Sequence, residues 1–98
     1  MNHRRVRVWI ARGFVARARG LLFGRRLPEG VGLLFECTRC VHGLGMGRRL
    51  DLVFLDDASV VRRVCSIGPM QIRWCRHASM VIEFEAGQRL QRHFAGKL

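Results

Sequence analysis

Apolar and polar positions alternate over residues 5–10, where Val6, Val8 and Ile10 share one face, and a period of two predicts a strand. Residues 11–23 change period. At about 100° per residue, Phe14, Val15, Ala18, Leu21 and Leu22 form one stripe bordered by Arg17 and Arg19, which predicts a short amphipathic helix. Gly24 and the Pro28-Glu29-Gly30 loop end it. A short strand is expected over 32–36. Residues 50–56 are apolar on both faces, Leu52 and Phe54 on one and Val53 and Leu55 on the other, as in a central strand covered above and below. After a turn at Asp56-Asp57-Ala58-Ser59, residues 60–67 read as its hairpin partner, only partly covered because Arg62 and Arg63 interrupt it. Gly68-Pro69 breaks that strand, and 70–77 reads as loop or short edge strand. Residues 79–85 alternate most cleanly, with Met80, Ile82 and Phe84 inward and Val81 and Glu83 on the other face. The run 88–94 has room for two helical turns. The predicted class is α+β: a curved or barrel-like sheet of five to six strands with one amphipathic helix packed on it and a short C-terminal helix.

Length and composition narrow the picture. A chain of 98 residues forms a single domain, 1–98, large enough to fold around one core. Its hydrophobic fraction of 49% excludes a disordered chain, and no apolar run approaches the roughly 18 to 20 residues that span a bilayer. The formal charge is +11, all cations but Lys97 are arginines, and no acid precedes Glu29. Such an amino terminus resembles a transit peptide, but the strict alternation of 5–10 and the lack of a small-residue cleavage site favour a strand. No secretory signal is visible, so a cytoplasmic location is expected, with Cys37, Cys40, Cys65 and Cys75 as free thiols. In an exported protein the same four would allow two bridges in three connectivities.

Five blocks carry a family resemblance. Arg17-Ala18-Arg19-Gly20-Leu21-Leu22, Gly32-Leu33-Leu34-Phe35, Val41-His42-Gly43-Leu44-Gly45-Met46, Leu50-Asp51-Leu52-Val53-Phe54-Leu55-Asp56 and Val81-Ile82-Glu83-Phe84-Glu85-Ala86-Gly87 resemble, in order and spacing, the bacterial and archaeal domain of unknown function numbered 192. The resemblance runs from about Arg17 to the carboxyl end. It implies a compact, strand-rich α+β domain with no established activity or cofactor, and motif positions at Arg19, Gly20, His42, Met46, Asp51, Phe54, Asp56, Glu83 and Gly87. The chain departs from the pattern in three places. Gly43 stands where threonine is usual, Arg49 where proline is usual, and Gly96-Lys97 where the family closes on Gly-Asp. Many relatives carry an export signal, which this sequence does not show.

Candidate chemistry gathers between Cys37 and Asp57. Cys37-x-x-Cys40-x-His42 has the spacing of half a zinc site, but Cys65 and Cys75 lie ten apart without a knuckle. Incidental thiols are the better reading, and no metal or cofactor is expected. Gly43-x-Gly45-x-Gly47 before Arg48 and Arg49 imitates a phosphate loop, yet a strand follows instead of a helix. The glycines are read as granting positive φ and letting Met46 turn inward. His42, Asp51 and Glu83 suit an acid/base group, although no nucleophile signature accompanies them. A structural network in which His42 or Arg19 holds Asp51 or Asp56 is the stronger reading. The expected function is a small binding or accessory domain whose pocket is lined by His42, Met46, Asp51 and Phe54, with Arg19 and Glu83 supporting the wall and no ligand assigned. The alternative is an electrostatic binder of nucleic acid or another polyanionic surface through Arg4, Arg5, Arg7 and Arg12. A small hydrolase or metal-dependent enzyme is the third reading.

Overall fold

The structure of the chain, a computed structural model, describes residues 7–10, 27–43 and 47–87. Every regular element among them is a strand: β1 (Arg7–Ile10), β2 (Val31–Glu36), β3 (Cys40–His42), β4 (Leu50–Leu55), β5 (Val61–Ile67), β6 (Ile72–Trp74) and β7 (Met80–Glu85). Five form a mixed sheet in the order β1-β2-β7-β4-β5, and β3 pairs with β6 in a separate two-stranded ribbon. Only the β1–β2 pair is parallel; the other pairs are antiparallel.

This corrects the expected α+β class. The described fold is all-strand, and the helices expected over 11–23 and 88–94 lie outside the described residues. Among the described strands the large sheet is open, with β1 and β5 at its edges, and does not close into a barrel. One face of it is covered by the β3–β6 ribbon, where a helix was expected to pack. Val41 of β3 is only 1% exposed and joins the core cluster of Leu33, Phe35, Leu50, Leu52, Phe54 and Val81. Three-residue strands are too short to show a period, which is why 70–77 reads from sequence as loop or short edge strand.

The sheet is apolar on both faces because its inner strands carry apolar residues at odd and even positions. Leu52 and Phe54 point to the ribbon side, while Val53, Leu55, Ile82 and Phe84 form a second cluster on the other side. All six residues of β4 are buried. Each fully buried Leu or Phe contributes on the order of 1.5–3 kcal/mol, so the β4–β7 pair concentrates the burial that holds the described fold together. The edges are different. Arg62 and Arg63 keep β5 partly solvated, as suits an edge strand. All four residues of β1 are exposed, Val8 and Ile10 among them. A register shift between Phe54 and Leu55 skips Arg62 in the ladder. The guanidinium of that bulged residue meets Asp56 at 3.4 Å.

Ribbon and sheet meet tightly at Gly43. A Cβ at this position would collide with the carbonyl oxygen of Gly68, while the Gly43 N–H donates to Gln71 O at 2.8 Å. Glycine is needed here for close approach of two backbones. Positive φ, the role assigned from the spacing, is found at neither Gly43 nor Gly47, and Gly45 and Met46 lie outside the described residues. Gly47 has nothing within 4 Å of an added Cβ. Gly43→Ala is therefore expected to lower the unfolding free energy by about 1–3 kcal/mol, the usual cost of overpacking. Gly47→Ala should change it by less than about 0.5 kcal/mol. Urea midpoints at unchanged m-value measure both, and equal effects would contradict the close approach at Gly43.

Candidate functional site

An open cleft of about 480 Å³ lies where the end of β2, the following loop, β3 and β7 converge. Its apolar floor is Phe35 and Val41, and Glu83 enters from β7. Cys37, Thr38, Arg39, Cys40 and His42 complete the lining. Hydrogen bonds fix the loop that carries much of this rim. Thr38 N–H donates to Ser79 O at 3.1 Å, Thr38 Oγ1 donates to Glu36 O at 3.0 Å, and Cys75 N–H donates to Arg39 O at 2.9 Å. The loop is thus tied to the strand β7 begins, to its own strand and to the ribbon.

Of the residues singled out from sequence, the cleft brings together His42 and Glu83, which are 41 positions apart, along with Cys37 and Cys40. It does not include Asp51 or Phe54. Phe54 is fully buried in the core. Asp51 sits opposite Phe84, whereas Glu83 sits opposite Leu52, so Asp51 and Glu83 project from opposite faces of the sheet. Met46 and Arg19 lie outside the described residues, as do Arg4, Arg5 and Arg12, while Arg7 is exposed on β1. Among the described residues no three His, Cys, Asp or Glu side chains come close enough to hold a metal ion, so Cys37, Cys40 and His42 do not form a ligand set within that group. No helix among them is long and apolar enough to cross a membrane.

The acidic residues explain much of the local electrostatics. Asp51, Glu83 and Glu85 are all buried, which requires each to be met by donors or positive charge. Glu85 Oε1 pairs with Arg48 Nε at 2.5 Å, and its Oε2 has no hydrogen-bond partner among the described residues. Asp56 accepts from the N–H groups of Ala58 at 2.9 Å and Val60 at 3.0 Å. These bonds, that of Val60 foremost, and the Arg62 charge lower its pKa. Asp56 is thus a turn residue, held by the backbone and the Arg62 charge of its own hairpin. The pair Arg48–Glu85 and the rim residues Thr38 and Arg39 were not anticipated. The Glu83-x-Glu85 spacing on a strand was the available sign, since it puts both carboxylates on the face of Val81.

Burial pushes the Asp51 carboxyl above its ordinary 3.8, against the opposing pull of the Gly87 N–H hydrogen bond and the Arg49 charge. The folded protein therefore holds this proton more tightly than the unfolded chain does. The stabilisation from protonated Asp51 is full below the unfolded value of 3.8 and is lost as pH rises through the higher folded value. Asp51→Asn keeps an oxygen for the Gly87 N–H and removes the buried charge. The variant is expected to match or exceed the wild type in stability at neutral pH and to lose that advantage in acid, as read by chemical denaturation across pH. A loss at neutral pH larger than about 1 kcal/mol, the value of a net hydrogen bond, would contradict this assignment.

The described part of the chain thus combines a two-faced sheet, a covering ribbon and a cleft between them. No curated protein matches the sequence, and no solved structure does. The model of the family described as an uncharacterized ACR, domain of unknown function 192, matches residues 1–95. On that match, which spans nearly the whole length, the chain belongs to domain-of-unknown-function family 192.

Proposed function

We propose that the protein is a small binding or accessory domain that takes a small organic ligand in the cleft between sheet and ribbon. The observation carrying this reading is that His42 of β3 and Glu83 of β7 line the same cleft. Its volume of about 480 Å³ falls in the range of small-molecule sites, which typically have an apolar body and a few placed polar groups. Phe35 and Val41 supply the apolar surface here, and Thr38, Arg39 and His42 supply polar groups. The ligand class that fits is a molecule with an apolar portion for the floor and hydrogen-bonding groups for the rim. Hydrolysis would need a nucleophile paired with a base. No nucleophile signature accompanies these residues in the sequence, and the apolar floor with its polar rim suits binding.

The test is a library of polar aromatic fragments screened by amide chemical shifts of the labelled full chain. Shifts are expected to cluster at Thr38, Arg39, Val41 and His42. For any fragment that binds there, His42→Ala should weaken affinity roughly 2- to 10-fold, the loss of about one hydrogen bond. Shifts confined to the opposite face around Val53 and Val64, or no shifts from any fragment, would contradict the reading.

A further inference from the structure

Among the described residues, the outward face of the β3–β6 ribbon is exposed and unusually apolar. Val41 is the ribbon's buried anchor, directly opposite Arg73. Alternation then turns the neighbouring pairs, Cys40 with Trp74 and His42 with Ile72, to the other side. Met70, in the turn two residues before β6, is exposed as well. Met70, Ile72 and Trp74 are 75%, 53% and 61% exposed, which makes them three of the seven large hydrophobics that the described surface displays. Met70 also holds φ at +64°, a conformation that residues other than glycine rarely adopt, at the tip formed by Gly68, Pro69 and Met70.

Arginines stand at one end of this stripe. At the Trp74 end, Arg63 Nη1 donates to Trp74 O at 2.5 Å, and exposed Arg39 and Arg76 flank the backbone bond from Cys75 N–H to Arg39 O. Three of the seven acidic residues are buried, so the surface of this +11 chain is poorer in negative charge than its composition indicates.

We propose that this ribbon face docks on an anionic phospholipid bilayer, with Met70, Ile72 and Trp74 entering the interface and Arg39, Arg63 and Arg76 meeting the headgroups. The chemistry selects this partner over three others. A second copy of the chain would set these arginines against one another. A protein partner needs about 800 Å² per side for a standard interface, more than two three-residue strands present. Single-stranded nucleic acid is held by stacking on aromatic rings, and two of the three stripe residues are aliphatic. An apolar stripe that includes tryptophan and is flanked by cations at one end suits the bilayer interface.

The test uses the full chain carrying Trp9→Phe, so that Trp74 is the sole tryptophan, with vesicles of phosphatidylcholine alone or mixed with phosphatidylglycerol. Sedimentation with the mixed vesicles, a blue shift of Trp74 emission and weak binding to pure phosphatidylcholine are expected. Met70→Ser with Ile72→Ser should reduce binding about tenfold or more while leaving the amide spectrum of the sheet intact. Absence of binding to the mixed vesicles would overturn the proposal. So would binding unaffected by the double variant with unchanged Trp74 emission, which is charge attraction alone. Self-association abolished by Ile72→Ser would assign the face to a second copy, and an oligonucleotide that moves Trp74 emission equally in the double variant would assign it to nucleic acid. Either result would also overturn it. Met70 and Ile72 do not line the cleft, so failure here leaves the small-ligand reading standing.

Discussion

The described structure depends on the pairing of β4 with β7 inside a sheet that is apolar on both faces. An antiparallel strand commonly leaves one face to water. Here β4 is buried along its length, and the last five residues of β7 are buried as well. Neither strand has a solvent face on which to place charge, so Asp51, Glu83 and Glu85 are carried into the interior with it. Asp51 and Glu85 meet that cost by different means. Asp51 accepts the Gly87 N–H and has its pKa raised. Glu85 takes the Arg48 guanidinium. Glu83 faces the cleft.

That constraint links core to surface. Because the strands on the ribbon side present Leu33, Phe35, Leu52 and Phe54, the short ribbon is recruited through Val41 to cover them. The gap left between cover and sheet is the cleft. The ribbon is tied down at its ends: Gly43 against Gly68, Arg73 Nε donating to Ser66 O at 2.9 Å, and Arg63 donating to Trp74 O. A three-residue strand held in this way spends one face on the core and leaves the other to solvent. Cys40 and His42 stand opposite Trp74 and Ile72 and also line the cleft, so the two functional proposals meet along β3, while Met70, Ile72 and Trp74 belong to the surface stripe alone.

Strongly periodic, local features were legible in the sequence. The runs over 50–56 and 79–85 became β4 and β7, and the Asp56–Ser59 turn joins β4 to β5 as an antiparallel hairpin. Nonlocal register was not legible. Whether Asp51 and Glu83 share a face depends on which residues of two strands lie opposite each other, and the Asp51–Phe84 pairing cannot be read from either strand alone. For the same reason His42 was grouped with Asp51, although the sheet separates them and leaves His42 with Glu83. The ribbon escaped notice because strands as short as Cys40–His42 and Ile72–Trp74 contain a single alternation. The rim residues Thr38 and Arg39 belong to a loop, where hydrophobic pattern carries no information and hydrogen bonds to Ser79 and Cys75 decide the geometry.

Amide hydrogen exchange resolved by residue tests the central role of the β4–β7 pair most directly. If burial on both faces makes this pair the last part of the described fold to open, the amides of Leu52, Val53, Phe54, Ile82 and Phe84 should exchange at the slow, global-unfolding limit, and those of β1 far faster. Exchange in β4 as rapid as at the exposed edge strand β1 would contradict the account.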